Sequence, residues 1–138
     1  MVLALGDVGN TVVWTASSPE MRKVAENVHL IEGGQWREEL VGTNALALSI
    51  KTQQSSCVFS SEHYMPSVQD MACYAAPIID PYSKHILGVV ALSTEWQKHN
   101  KFWTTGSRTL CLHYSICFIG ITKTAFIYSC LFCPAGHF

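Results

Sequence analysis

One continuous apolar run constrains the fold of this chain more than any other feature. Residues 86–92 read ILGVVAL, with no polar side chain among them. A strand with one face in water alternates apolar and polar residues, whereas a run of this kind is typical of a strand covered on both faces. We therefore expect residues 86–92 at the centre of a sheet. Gly88 within the run predicts a β-bulge or a close backbone approach.

Four further segments have the composition of β-strands and would supply the neighbours of this central strand. Turn-forming residues separate the first two, which predicts a hairpin, and another turn over residues 80–84 precedes the central run. The four segments are residues 2–5, 11–15, 57–59 and 71–79.

A first helix is predicted directly after the hairpin. Ser18 is a good N-cap residue, Pro19 suits the first helical position, and Glu20 complements the positive end of the helix dipole. Apolar residues then recur at helical spacing and predict one buried stripe. The stripe consists of Met21, Val24, Ala25 and Val28.

A second helix is predicted after the loop at residues 32–35. Thr43 is expected to cap it, and residues 45–50 are apolar on most sides, which favours a helix buried against a sheet. Strands and helices together predict an α/β (α+β) fold.

Composition excludes several classes of function. The 138 residues suffice for one domain with a core. The net charge of -1 and the absence of a basic cluster predict no direct nucleic-acid binding. No signal-peptide pattern opens the chain, so its six cysteines are expected to be reduced thiols in the cytoplasm. No cofactor is expected.

A series of short motifs resembles one family. Gly9, Asn10 and Trp14 are followed by EGGQW at 32–36, VGTNA at 41–45, SEH at 61–63, CYAAPIID at 73–80 and LGVVALS at 87–93. Taken in this order, they resemble the GAF sensory domain of sigma-54-dependent transcriptional activators, the acetoin-regulator-like, Fis-type group. The resemblance covers roughly residues 2–98.

The resemblance implies a central antiparallel sheet of five or six strands, with helices on one or both faces and a binding site between sheet and helices. It also implies a non-enzymatic module that binds an unknown small-molecule effector or a partner, and possible homodimers. The sequence contains no phosphate-binding loop and no DNA-reading helix, so we expect a sensory domain without its ATPase and DNA-binding domains and without the usual leading helix. The alternatives are a non-functional remnant, a structural interaction module or a small membrane-anchored protein.

The last part of the chain departs from the family. We assign residues 1–100 to the GAF-like domain and residues 101–138 to an atypical, apolar, cysteine-rich tail. Residues 110–133 are long enough to span a membrane, but Lys123 near their middle argues against insertion. We interpret the tail as translation outside the ancestral reading frame, a hypothesis that reading the gene in its other frames would test.

Cysteines and histidines in the tail have spacings typical of zinc ligands, although the polar turns of zinc loops are missing. We therefore favour a tail without a metal site. Catalysis is not expected either, because Glu62, His63 and Asp70 have no nucleophile near them in sequence. The possible zinc ligands are Cys111, His113, Cys117, Cys130, Cys133 and His137.

Aromatic side chains are the best candidates for the walls of a ligand pocket, and core packing is the alternative role for each. Asn44 is added because packing alone does not explain it at a helix start. Cys73 is added on a strand, where a buried thiol acting as a small apolar residue is the alternative. The full set of pocket candidates is Trp14, Trp36, Asn44, Tyr64, Cys73 and Tyr74.

Overall fold

The computed structural model describes residues 1–80 and 82–98, which contain one five-stranded antiparallel sheet. The strand order is β2-β1-β5-β4-β3. The strands are β1 (Val2–Gly6), β2 (Val12–Ser17), β3 (Ser56–Phe59), β4 (Met71–Ile79) and β5 (Ile86–Glu95). The predicted hairpin is the β1–β2 pair, and the predicted fold class is confirmed.

The apolar run at residues 86–92 lies where the sequence predicts it. It belongs to β5, which pairs with β4 on one side and, from Val89 onward, with β1 on the other. Val89 and Ala91 are buried on one face of the sheet, and Val90 and Leu92 on the other. Because both faces of the strand are covered there, apolar and polar residues do not alternate in its sequence.

Gly88 confirms both predictions made for it. Its partner on β4 is Ile78, whereas Ile79 pairs with Ile86, so Leu87 is the extra residue of a β-bulge. A Cβ atom at Gly88 would also collide with the carbonyl oxygen of Gly6 on β1. Glycine is therefore required for β1 and β5 to approach each other at this point.

Three helices and three short 3₁₀ turns complete the described residues. The helices are α1 (Pro19–Asn27), α2 (Glu38–Val41) and α3 (Ala45–Thr52), and the 3₁₀ turns are Ser60–Glu62, Pro66–Val68 and Trp96–Lys98. Helix α1 begins where predicted and buries Met21 and Ala25. Ser18 occupies the N-cap position, but its Oγ accepts a hydrogen bond from the N-terminal amino group of Met1 instead of capping the helix.

The prediction that Thr43 caps α3 is wrong. Asn44 is the N-cap: it has an extended backbone, and its Oδ1 accepts a hydrogen bond of 3.0 Å from the Ala47 amide. Thr43 is exposed. Both residue types are good N-caps, but the side chain of Asn44 points inward to other partners and that of Thr43 does not, so the helix begins one residue later.

The sheet has a different covering on each face. The helix-covered face carries residues such as Ala4, Cys73 and Val89, which pack with Met21 of α1 and Leu46 of α3. Among the described residues, strands alone form the hydrophobic cluster on the second face, and Phe59 packs its edge on Tyr74 there. The buried members of that cluster are Leu3, Leu5, Ala72, Tyr74, Ala76, Ile78, Val90 and Leu92.

The interpretations of residues 101–138 lie outside the described residues, including the zinc-like spacing, the shifted reading frame and the candidate membrane segment at 110–133. Within residues 1–80 and 82–98, no helix has the length and apolar character needed to cross a membrane. The same residues contain no cluster of three or more potential metal ligands.

Candidate functional site

The main cleft lies between the connection from α1 to α2 and the loop that follows β3. Its volume is about 490 Å³, which is within the range typical of small-molecule sites. The connection supplies residues 27–29 and 31–35, and the remaining lining residues are Val41, Met65 and Ser67.

The lining combines an apolar floor with a polar rim. Val28 is buried, and Ile31, Val41 and Met65 are half-buried and pack against the core of the helix-covered face. Polar side chains such as His29 are exposed at the edge of the cleft. A cleft of this composition suits a small molecule that buries a hydrocarbon part and orients one or two polar groups.

Two buried side chains stabilise the backbone of the cleft wall through hydrogen bonds. The Trp36 indole Nε1 donates a hydrogen bond of 3.0 Å to the carbonyl oxygen of His29, a residue of the lining. The Asn44 Nδ2 donates to the carbonyl oxygens of Trp36 and Gly42, at 3.0 and 2.9 Å. Both side chains are about 2% exposed, and the Asn44 bond to the Trp36 carbonyl oxygen is buried, which shields it from competing water.

The rim of the main cleft is fixed to the edge of the sheet. The Gly33 amide donates to the Val12 carbonyl oxygen, and the Val12 amide donates to the Gly34 carbonyl oxygen. Further along β2, the Glu32 carboxylate accepts a hydrogen bond of 3.0 Å from the Thr15 amide. The rim therefore continues the sheet beside β2 and covers part of its free edge.

The opposite wall comes from the loop after β3, which is docked on Gly42. The ring of Tyr64 lies so close to Gly42 that any Cβ atom there would collide with it. Gly42 also has a φ of 69°, in the left-handed region that favours glycine. Tyr64 is 78% exposed and does not line the cleft, whereas the adjacent Met65 does.

His63 is buried in the same loop. Its Nδ1 lies 3.1 Å from the Ser60 carbonyl oxygen, so Nδ1 carries the proton and donates a hydrogen bond to that oxygen, and Nε2 has no hydrogen-bond partner among the described residues. Burial lowers the pKa of His63 below its usual 6.5, against smaller raising effects of Ser60 and Glu62. The ring is therefore neutral at pH 7.

Comparison with known proteins identifies the fold and the family. The family model described as the N-terminal domain of MimR matches residues 2–104. The chain belongs to the MimR N-terminal domain family. Its resemblance to the sensory domains of sigma-54-dependent activators is thereby confirmed.

Three curated relatives illustrate this family. The propane 2-monooxygenase operon transcriptional activator MimR of Mycolicibacterium goodii is 35% identical over 56% of this chain and 13% of its own length. The acetoin dehydrogenase operon transcriptional activator AcoR of Bacillus subtilis is 31% identical over the same shares of the two chains. An uncharacterized 47.3 kDa protein of Rhodococcus erythropolis is 30% identical over 67% of this chain and 21% of its own. The chain thus spans about a fifth or less of these proteins.

A solved structure, the E. coli DhaR(N)–DhaL complex, contains a chain of the same fold. The TM-score is 0.78 with 17% sequence identity, over 94% of this chain and 42% of that chain. At this identity the likeness concerns the fold.

The structure does not gather the six pocket candidates of this MimR-type domain into one place. Trp36, Asn44 and Tyr64 lie next to the main cleft and support its walls without lining it. Trp14 and Tyr74 belong to the cluster on the second face of the sheet. Direct contact of these residues with a ligand stays a prediction.

Cys73 lies on the helix-covered face, remote from solvent. Ser93 Oγ donates a hydrogen bond of 3.2 Å to its sulfur, and burial raises the pKa of the thiol to about 11. A thiolate is the nucleophilic form of cysteine, so this environment favours an inert core thiol.

Two of the residues considered for catalysis make structural hydrogen bonds, Glu62 through its carboxylate and Asp70 through its backbone. Glu62 Oε2 accepts a hydrogen bond of 2.8 Å from the Phe59 amide at the end of β3. The Asp70 carbonyl oxygen accepts one of 2.7 Å from the Trp96 amide.

The residues that line the main cleft were missed by sequence reasoning, which looked for aromatic rings. Val41 and Met65 are aliphatic and could belong to any core. The available signal was the Gly33-Gly34 pair, since a Cβ atom at Gly34 would collide with the His29 carbonyl oxygen. Close backbone approach of this kind marks a tightly folded loop beside the cleft.

Proposed function

We propose that this chain is a sensory module that binds a small effector in the main cleft and thereby regulates transcription through a sigma-54-dependent activator. The observation that carries the proposal is the cleft of about 490 Å³ between two separate segments of the chain. Support comes from the relatives MimR and AcoR, which are transcriptional activators of the propane 2-monooxygenase and acetoin dehydrogenase operons. A transcription regulator acts where the DNA is, so the proposal includes a cytoplasmic location.

The chemistry of the lining favours an uncharged effector. Glu32 is the one charged carboxylate that the described lining contains, and its Oε1 is already engaged by the Thr15 amide. No lysine or arginine of the described residues lines the cleft, so an anion has no counter-charge there. A short alcohol, ketone or diol would place its carbon atoms on Val41 and Met65 and its oxygen at the rim.

The proposed mechanism is a shift between two arrangements of the cleft walls. The effector would contact the α1–α2 connection on one side and the loop after β3 on the other. A ligand that contacts both walls stabilises the arrangement in which they are close, and it shifts the population toward that state in proportion to its differential affinity. In this proposal the chain's role is regulatory and includes no chemical step.

The test is a thermal-shift screen of the full chain against short alcohols, ketones, diols and phenols. A compound at 100 times its Kd should raise the free energy of unfolding by about 2.7 kcal/mol. Val41→Trp should fill the cleft and abolish the shift, whereas Leu40→Trp, an exposed neighbour on the same helix, should retain it. Ser67→Trp gives a second filling variant at an exposed position of the lining.

The outcome that contradicts the proposal is a folded chain that no compound stabilises, or equal shifts in the Val41→Trp and Leu40→Trp variants. The first result would favour a remnant without sensory function. The second would place the binding site elsewhere on the molecule.

A second candidate function is binding of a protein partner beside the main cleft. The observation that favours it is the exposure of Tyr64 and Leu40, at 78% and 57%, next to the Gly42 contact. The structural neighbour was solved as a complex of DhaR(N) with DhaL. Sedimentation of the full chain tests the simplest partner, a second copy: a dimer that Tyr64→Ser weakens supports this function, and a monomer at all concentrations contradicts a homodimer.

A further inference from the structure

The two edge strands of the sheet contain none of the residues that usually protect a sheet edge. Among the described residues, β2 and β3 are the edge strands. The outward amide and carbonyl groups of an edge strand can pair with another chain, and proteins commonly prevent this with a charged residue, a proline or a covering segment. Residues 12–17 and 56–59 contain neither a charged residue nor a proline. Protection of these edges therefore has to come from other parts of the chain.

The edge of β2 is covered by the connection from α1 to α2. The backbone of Gly33 and Gly34 pairs with both outward groups of Val12. The Glu32 carboxylate accepts a hydrogen bond of 3.0 Å from the Thr15 amide on the same edge. A strand from another molecule would have to displace this whole segment before it could pair along β2.

At the edge of β3, a single carboxylate takes the place of such a segment. The Glu62 Oε2 accepts a hydrogen bond of 2.8 Å from the Phe59 amide, which therefore points away from β4. Alternate residues of a strand direct their backbone groups to the same side, so the amide and carbonyl groups of Cys57 also point outward. No backbone group of the described residues outside β4 pairs with Cys57.

The sequence around β3 is suited to pairing with another copy of itself. Residues 52–61 read TQQSSCVFSS and contain no charge and no proline. Two copies in antiparallel orientation about Cys57 would exchange both hydrogen bonds of this residue, and no like charges would face each other across the pair. A second copy thus matches the outward groups of β3 in number and direction.

We propose that the edge of β3 is a pairing surface for a second copy of this chain and that Glu62 closes it. In a pair centred on Cys57, the next hydrogen bond of β3 comes from the Phe59 amide. Glu62 already accepts that bond, so the partner strand has to displace the carboxylate. No residue of β3 lines the main cleft, and this proposal is therefore independent of effector binding there.

The test compares the full chain with its Glu62→Ala variant after treatment with a short bis-maleimide cross-linker. Mass spectrometry quantifies the Cys57–Cys57 product, which joins two molecules because each chain has one Cys57. In the proposed pair the two Cys57 Cα atoms lie about 5.5 Å apart. We expect the variant to increase the product by roughly fivefold or more and to form a concentration-dependent dimer in sedimentation. The proposal is overturned if the yield does not increase, or if the wild type already gives the yield of the variant.

Two further variants define what closes the edge. Glu62→Gln keeps an oxygen that can accept from the Phe59 amide, so its yield should remain at the wild-type level. A yield as high as that of Glu62→Ala would contradict the proposed role of this hydrogen bond. Glu26→Ala removes an exposed glutamate of α1 and is the matched control, with an expected yield equal to that of the wild type.

Strand pairing must also be distinguished from unfolding and from the surface around Tyr64. Circular dichroism establishes that each variant is folded under the labelling conditions. In an unfolded variant all six cysteines are accessible, so Cys57 joined to every other cysteine as often as to Cys57 would contradict strand pairing. Tyr64→Ser, added to Glu62→Ala, should leave the Cys57–Cys57 yield unchanged. Loss of the product in this double variant would contradict an interface at the β3 edge.

Discussion

At the scale of single residues, the neutral ring of His63 couples stability to pH. Burial lowers the pKa of this side chain in the folded state below its usual 6.5. The unfolded chain therefore binds a proton at a higher pH than the folded chain does. The contribution of His63 to the free energy of unfolding is fully present above about pH 7. It is lost as the pH falls through 6.5 toward the pKa of the folded state, by at most about 1.4 kcal/mol per pH unit.

We expect His63→Asn to flatten this pH dependence of the free energy of unfolding, measured by denaturant titration between pH 5 and 7. Asparagine keeps a donor near the position of Nδ1 for the Ser60 carbonyl oxygen and removes the titration. His29→Asn is the matched control, since His29 is exposed and its φ of 56° suits asparagine. Parallel pH profiles for the wild type and the His63→Asn variant would rule out the coupling.

The alternation of side chains along a strand also explains why the pocket candidates do not lie together. Consecutive side chains of a strand point to opposite faces, so Cys73 and Tyr74 cannot line one pocket on the same face. The sequence contains that information. The three-dimensional packing decides which aromatic rings face the helices. The chemical character of a ring does not predict on which face of the sheet it lies.

At the scale of elements, the start of α3 shows what local sequence leaves open. Thr43 and Asn44 are adjacent and both favour the N-cap position. The choice depends on tertiary bonds, because Asn44 also donates to the carbonyl oxygens of Trp36 and Gly42. The strands were predictable from their apolar runs. The one-turn helix Glu38–Val41 was not, since its stability depends on its neighbours.

We expect Asn44→Ala to cost about 1–3 kcal/mol of unfolding free energy, because it removes a cap and leaves the carbonyl oxygens of Trp36 and Gly42 without this donor. Thr43→Ala should change it by less than about 0.5 kcal/mol, since Thr43 is exposed. Both values come from chemical denaturation followed by circular dichroism. An equal loss of unfolding free energy in the two variants would contradict Asn44 as the N-cap and favour Thr43.

At the scale of the whole molecule, the connection from α1 to α2 joins the main cleft to the hairpin. The Trp36 side chain donates a hydrogen bond to the carbonyl oxygen of His29 at the main cleft, and its backbone amide donates one to the carbonyl oxygen of Asn10 in the turn between β1 and β2. The sheet could be predicted because short-range patterns determine strands. The main cleft could not, because it forms between segments distant in sequence, such as residues 27–35 and 65–67.

If the fold is cooperative, the central sheet unfolds as one unit. Alkylation of Cys73 measures that unfolding. Cys73 is 4% exposed on β4, a strand paired on both sides, and its thiol pKa is about 11. Alkylation requires both exposure and a thiolate, so in the native state Cys73 should react only through global unfolding. Cys57, half-buried on the edge strand β3, has a shorter route to solvent through local opening.

Site-resolved mass spectrometry of the chain, alkylated at pH 8 across a denaturant series, should therefore show Cys73 labelling that follows the circular-dichroism unfolding curve with the same midpoint. Cys57 should be labelled at lower denaturant concentration. Labelling of Cys73 well before the loss of secondary structure would mean that β4 separates from β5 in the native state. The cleft walls would then rest on a sheet that opens locally, and a shift between two arrangements of those walls would no longer be the simplest mechanism for sensing.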